Sequence, residues 1–293
     1  MHIKAHAKIN LVLAVGKRRP DGYHEVETVL QQLELHDRLE FRAADDLSLD
    51  TDSREVPSGP ENLVWRAAVL LRARHNCKRG AAIRLYKSIP VTAGLAGGSA
   101  DAAATLVGLS RFWGLNLPWE ALQALGAELG TDVPFCLAGP TALARGRGDV
   151  LTPLPPAPPL GVVLVKPPYG VSAAEAYARF DRLPRGDNPE SSPVLQGLAA
   201  RDARAIAHGL SNNLEPAVFE LHPELETIKR RLRNCGALGA LMAGSGPTVF
   251  GLTPDLATAE AVAAKLRSTG LSVLVTQFRG ERLGVSGILE QPG

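Results

Sequence analysis

The segment 89-IPVTAGLAGGSADAAATL-106 decides the reading of this chain. Glycines at 94, 97 and 98 sit among alanines and a serine. Beyond them Ala102, Leu106, Leu109 and Trp113 recur at i, i+4, i+7 and i+11, one face of a helix. The chain therefore turns on residues with almost no side chain and then starts a helix. The first turn of a helix offers free N–H groups and the positive end of the dipole, and small residues let a ligand approach them. An anion such as phosphate is the natural visitor. A plain glycine turn before a helix gives the same pattern, so the surrounding sequence must choose.

Upstream, 81-AAIRLYKSI-89 alternates like a strand and feeds straight into the turn, and 62-NLVWRAAVLLRAR-74 has a strong helical pattern. Residues 7-AKINLVLAV-15 read as a strand, 29–42 as extended, and 43–60 as a loop. Downstream come a helix over about 118–129 and short strands around 141–152. Then 153-PLPPAPPL-160 places five prolines in eight residues. It reads as a stiff connector and the best boundary, with domains over 1–155 and 156–293. Past it lie a strand at 161–167, a helix at 172–181 with Ser172 as N-cap, and two or three helices from 192 to 235. Two strands around a small-residue turn follow in 237–252, then a helix over 255–268 and a strand over 271–278. This order implies an α+β fold with helices on one face of a mostly antiparallel sheet.

Composition narrows the function. The 293 residues carry a formal net charge of +2 and a pI near 8.5, with no concentrated basic face, which argues against a nucleic-acid partner. The densest basic run, 229-KRRLR-233, reads as a solvated helix face. Three cysteines, Cys77, Cys136 and Cys235, lie far apart without a C-x-x-C, which suits a reducing cytoplasm and gives no zinc site. Neither a signal-peptide pattern nor an apolar run near the ~18 residues of a membrane helix is present.

Four further places could carry chemistry. Lys8 and Asn10 share one face of the first strand, opposite Ile9, Leu11 and Leu13. Asp132, between a Gly-Thr turn and Val-Pro, is expected in extended geometry where it could orient a hydroxyl. Tyr23 and His24 follow the tight turn of 20-PDGY-23, where an aromatic could stack on a base. The turn 244-GSGP-247 could approach a phosphate or substrate. Each has an ordinary structural explanation alone: a wet edge strand, a helix cap, a hairpin tip, a tight hairpin. No Walker loop, G-x-G-x-x-G or protein-kinase motif is present.

Taken together, 7-AKINLVL-13, 90-PVTAGLAGGSADAA-103 and 243-AGSGPTVFG-251 resemble the three motifs of the GHMP kinase superfamily, in order. Within it, 20-PDGYHEVET-28 and 130-GTDVPF-135 resemble the branch that acts on a cytidine diphosphate-linked methylerythritol. The resemblance implies a two-domain α+β fold, with a ribosomal-protein-like N-terminal domain and a ferredoxin-like C-terminal α/β sandwich. It implies transfer of the γ-phosphoryl group of ATP, with Mg²⁺, to the 2-hydroxyl of that substrate. ATP would be held by Asn62 and by the segment Pro90, Val91, Thr92, Ala93, Gly94, Leu95, Ala96, Gly97, Gly98, Ser99 and Ala100, with Ser99 as a candidate metal ligand. Lys8 and Asp132 would be catalytic. Because an ammonium beside a carboxylate weakens it as a base, Asp132 would orient the hydroxyl as much as deprotonate it. Asn10, Tyr23, His24, Tyr177, Gly244 and Ser245 would bind substrate, with Phe180 the alternative to Tyr177 as second stacking ring. The superfamily often has glycine where Ala96 stands; its methyl group is expected to fit at a negative φ. Ala173 replaces a frequent threonine, so one polar contact is missing. The expected state is a cytoplasmic monomer or weak homodimer without nucleic-acid or membrane partners. A kinase for mevalonate, homoserine or a sugar, a nucleic-acid-binding module and a non-catalytic nucleotide sensor are the competing readings.

Overall fold

The computed structural model describes residues 1–184, 188–267 and 271–280. Two long strands, β1 (His2–Arg18) and β2 (His24–Arg42), pair antiparallel across the tight turn at 19–23 and form the spine of the first half. Next come β3 (Leu47–Thr51), helix α1 (Leu63–Arg74) and β4 (Ala81–Tyr86). The glycine-rich turn leads into α2 (Gly97–Phe112), followed by α3 (Trp119–Leu129), α4 (Val133–Ala138), β5 (Thr141–Arg145) and β6 (Val150–Pro153). The second half runs β7 (Gly161–Lys166), α5 (Ala173–Phe180), α6 (Ser192–Ala200), α7 (Ala203–His208), β8 (Ser211–Asn212), α8 (Glu215–Leu221) and α9 (Glu224–Asn234). It ends in β9 (Gly239–Met242), β10 (Val249–Thr253), α10 (Leu256–Arg267) and β11 (Ser272–Gln277).

The first sheet has the order β3-β4-β2-β1-β8, with β5 and β6 branching from β2. Its β3–β4 and β1–β8 pairs are parallel; the other pairs are antiparallel. The second sheet, β11-β7-β10-β9, is wholly antiparallel. The sequence pattern missed β3, whose register lies inside a stretch rich in loop-forming residues, and α4, where Pro134 occupies the first turn and donates nothing the helix needs. Four helices, not two or three, fill 192–235.

Helix α2 passes through the core of the first half. The expected face, Ala102, Leu106, Leu109 and Trp113, is buried, and so is every residue from Ala100 to Ser110. A helix apolar all round belongs in an interior, and α1, α3, α4 and the sheet enclose it. The proline-rich stretch is extended, but it is no free linker: Ala157 and Leu160 are buried in a core shared by both halves. That core joins Ile9, Leu11 and Val29 to Val162, Leu241 and Phe250. The second half also lends β8 to the first sheet, so a cut between 155 and 156 divides the sequence but not the packing.

Candidate active site

β1 pairs with β2 along its length and with β8 at Val12 and Leu13, and at Lys8 its N–H donates to the Leu95 carbonyl; with Lys8 and Asn10 both buried, the wet-edge explanation does not apply. Their side chains are buried polar groups in an apolar strand, which is costly without partners. They have them. Lys8 Nζ donates to Asn10 Oδ1 at 2.9 Å, Asn10 Nδ2 to Thr28 Oγ1 at 2.8 Å, and Thr28 Oγ1 to the Val12 carbonyl at 2.6 Å. A register shift between Asn10 and Val12 marks a bulge that interrupts the alternation. Leu13 therefore lines the cleft with Lys8 and Asn10, instead of joining Ile9 and Leu11 as the simple period required.

Asp132 stands at the N-cap position of α4 with φ −83° and ψ −17°, not in the extended geometry expected from Val-Pro. Val133 enters the helix ahead of Pro134 because burial of Val133, Phe135 and Leu137 fixes the turn. The Asp132 carboxylate makes no capping bond. It lies 3.5 Å from Lys8 Nζ instead, and with 37% of its side chain exposed it remains open to the cleft.

The loop between β4 and α2 is fixed from three directions. Lys8 N–H donates to the Leu95 carbonyl at 3.1 Å. Gly94, at φ +76°, packs backbone to backbone on the 243–246 turn: a Cβ here would stand 2.2 Å from the Ala243 carbonyl oxygen. Below the loop, Lys87 Nζ contacts the Asp37 carboxylate and lies 2.8 Å from Asp101 Oδ2, on the second turn of α2. Asp37 also accepts from the backbone N–H groups of Ser88 and Ile89 at 2.5 and 2.8 Å. Burial works against the Lys87 charge, but Asp101 and Asp37 outweigh it and raise its pKa. Burial, aided by Asp37 and opposed by Lys87, raises the Asp101 pKa well above the usual carboxylate value. Ala96 adopts φ +56°. The expected negative φ is thus corrected: the methyl group fits in the left-handed region, at a cost of about 1–2 kcal/mol.

The turn at 244–247 reaches the same place. A Cβ on Gly244 would lie 3.5 Å from Asn10 Oδ1 and 3.7 Å from Lys8 Nζ. Asn212, in β8, holds this turn by donating to the carbonyls of Met242 and Gly244 at 3.0 and 2.8 Å. Nothing in the local sequence marked Asn212, because its role depends on a contact thirty residues away.

One cleft of about 1080 Å³ connects these parts. It is lined by Asn62, Pro90 and the loop through Ser99, by Lys8, Asn10, Asp132 and Ser245, and by Tyr23, His24 and Tyr177. Ala100, expected with the loop, is buried beneath it. The Asn62 side chain caps α1 by accepting from Val64 N–H at 2.8 Å and donates one Nδ2 hydrogen to the Pro57 carbonyl at 2.7 Å, which leaves a second Nδ2 hydrogen at the cleft wall. Tyr177 lines the cleft 5.0 Å from the His24 ring, whereas Phe180 meets that ring edge-on and lies outside the lining. Burial, with Asp132 adding, pushes the Tyr177 phenol up to about 12, so it stays neutral. Missed by the sequence reading were Thr28, Lys87, Asp181 and Arg147, whose guanidinium sits 5.2 Å from the Tyr23 ring centroid. Ser172 occupies the N-cap of α5 without a side-chain capping bond.

A glycine loop opening a helix, a buried lysine 3.5 Å from an open aspartate and a second glycine turn beside that lysine line one cleft, an arrangement that suits phosphoryl transfer. Family models agree: residues 62–140 match the GHMP kinases N terminal domain and residues 194–271 the GHMP kinases C terminal. The chain is a GHMP kinase, an enzyme that uses ATP to phosphorylate a small molecule. It is 54% identical over 281 residues to the 4-diphosphocytidyl-2-C-methyl-D-erythritol kinase of Pelotomaculum thermopropionicum, covering 95% of this chain and 98% of that one. The Bacillus subtilis enzyme of the same name is 43% identical over 95% and 97% of the two chains. A crystal structure of 4-(cytidine 5'-diphospho)-2C-methyl-D-erythritol kinase superposes with a TM-score of 0.82 at 36% identity, over 96% of this chain and all of that one. The chain therefore belongs to the 4-diphosphocytidyl-2-C-methyl-D-erythritol kinase family. A mevalonate kinase from L. major, at 16% identity and TM-score 0.75, shares the fold.

Proposed function

We propose that this kinase transfers the γ-phosphoryl group of ATP to the 2-hydroxyl of 4-diphosphocytidyl-2-C-methyl-D-erythritol, a step of non-mevalonate isoprenoid synthesis. The observation that carries this is that one cleft is lined by the glycine-rich loop, by Lys8 and Asp132, and by an aromatic niche of Tyr23, His24 and Tyr177. Mevalonate and homoserine have no base to occupy that niche.

Phosphoryl transfer passes through a loose transition state, so positioning and charge neutralisation do most of the work. Backbone N–H groups at the start of α2 bind the ATP phosphates. Asp132 accepts the hydrogen bond of the attacking hydroxyl and takes its proton as the new P–O bond forms and the bond to the leaving ADP oxygen breaks. Lys8, held by Asn10 and Asp132, has a third N–H to offer the transferring group. Asn10, Gly244 and Ser245 line the methylerythritol position, and Tyr23 and Tyr177 provide stacking planes. The loop residues Pro90 to Ser99 wall the nucleotide.

Bound Mg²⁺ would neutralise charge on the ATP phosphates and so favour phosphoryl transfer. Among the described residues no group of three His, Cys, Asp or Glu could cage a metal. Mg²⁺ usually keeps several waters and binds phosphates plus one or two protein ligands. The Ser99 hydroxyl lines the cleft without a hydrogen bond to any described residue, and it would hold the ion. The free state of Cys77, Cys136 and Cys235 suits a cytoplasmic enzyme. No described helix is long and apolar enough to cross a membrane. We infer a monomer or weak homodimer.

The test is ADP release with Mg²⁺-ATP and the cytidyl substrate, run beside mevalonate and homoserine. Turnover with the cytidyl substrate alone is expected. Asp132→Asn should lower kcat by about 10²–10⁴ with a small change in KM. Turnover with mevalonate or homoserine instead would refute the substrate assignment.

A further inference from the structure

The aromatic niche of the cleft contains one side chain whose hydrogen position is fixed by a partner. His24 opens β2, and its ring is buried. Its Nε2 lies 2.8 Å from Oδ1 of Asp181, the residue that ends α5 in the other half of the molecule. Tyr177 packs against the same ring at 5.0 Å and Phe180 approaches it edge-on at 6.2 Å, so the imidazole has little freedom to turn. An ionised carboxylate only accepts hydrogen bonds, so Nε2 carries the hydrogen. In the neutral ring Nδ1 then presents a lone pair. No described residue donates to Nδ1, and His24 lines the cleft.

We propose that Asp181 is a positioning residue for base selection, keeping the His24 hydrogen on Nε2 so that Nδ1 accepts from the exocyclic amine of cytosine. Uracil presents a carbonyl oxygen at that position, and two acceptors facing each other leave both unpaired. Asp181 touches no substrate in this scheme; it acts through His24, as a buried aspartate fixes the tautomer of the histidine in serine-protease triads. The inference rests on the cytidyl substrate proposed above.

The experiment compares binding of cytidine diphosphate and uridine diphosphate by calorimetry, with a nonhydrolysable ATP analogue at saturation. Wild-type protein should prefer the cytidine ligand by about tenfold or more, the value of one hydrogen bond made against one forbidden. Asp181→Asn, whose amide can face Nε2 with either its oxygen or its NH₂, should cut that preference at least about fivefold. Asp181→Ala should do the same. Asp181→Glu, which restores an obligate acceptor, should recover part of the preference. Affinity for the ATP analogue and the thermal midpoint should stay unchanged. If both ligands weaken equally and the ratio survives, Asp181 only supports the fold and the inference falls. A wild type that binds both ligands equally also overturns it. If the wild type binds neither ligand and turns over no cytidyl substrate, the functional reading itself fails as well.

Discussion

Replacing Lys87 by methionine would test whether the phosphate loop stands on a buried charge cluster. The side chains of Lys87, Asp37 and Asp101 are 8%, 0% and 3% exposed, so solvent cannot screen them. Without the ammonium, Asp37 keeps two backbone N–H donors. Asp101 loses the ammonium that its Oδ2 accepts from, its Oδ1 already lacks a partner, and it is left beside the Asp37 carboxyl group. Removing one member of a buried pair and stranding the other costs about 3–5 kcal/mol. At roughly 2–4 °C per kcal/mol for a unit of this size, the thermal midpoint should fall by about 6–20 °C. Trp65, Trp113 and Trp119, the only tryptophans of the chain, all lie in the first half, so tryptophan fluorescence during urea unfolding reports on the half that contains the cluster. Asp101→Asn is the companion variant. The Asp101 pKa is raised in the folded state, so the native protein holds the proton more tightly than the unfolded chain. Stability therefore falls as pH rises from the unfolded value of 3.8 toward the raised folded value, and Asn removes that slope. The KM for ATP should rise in Lys87→Met because α2 loses its tie to β4. A loss below about 1 kcal/mol in Lys87→Met would refute the reasoning, because two neighbouring buried carboxyl groups left without their ammonium cannot be that cheap.

Two other outcomes are expected. Ala96→Gly should be neutral or stabilise by up to about 1 kcal/mol in urea unfolding, because relief of the left-handed strain is partly offset by greater freedom of the unfolded chain. A loss above 1 kcal/mol would show that the Ala96 methyl packs favourably. Burial, with Arg279, His36 and Lys4 adding, lowers the His6 pKa from 6.5 to about 3, although its bond to the Leu33 carbonyl opposes this. The unfolded chain then binds a proton that the native state refuses, so stability is lost as pH falls from 6.5 toward 3, by roughly 5 kcal/mol at most. His6→Asn, which can still donate to Leu33, should flatten stability measured over that range; an unchanged slope would assign it to other groups.

What the sequence made legible depended on whether the cause was local. The turn before α2, the helix over 62–74 and the strand at 161–166 follow from glycine placement, periodicity and β-branched runs within one window. Lys8, Asp132 and the 244–247 turn were visible as motifs, and the structure brings the aspartate and the turn each beside Lys8. The bulge that sends Leu13 into the cleft leaves no mark in residue type. Asn212, Lys87 and Asp181 act on partners 14 to 157 residues away, and no pattern in a short window reports such distances. Ala96 misled for a related reason: alanine gives no sign of the φ that the packed loop imposes on it.

The two-residue strand β8 has a consequence for synthesis. As the chain leaves the ribosome from its N-terminus, Lys8, the phosphate loop and Asp132 all emerge early. Yet Val12 and Leu13 lack their outer neighbour until Ser211 and Asn212 appear, and Asn212 in turn waits for the carbonyls of Met242 and Gly244. A nascent chain ending before residue 244 holds the lysine and the aspartate but has nothing to close over them. Closure of the cleft by the 244–247 turn thus arrives late in translation, and a product truncated before residue 244 lacks it.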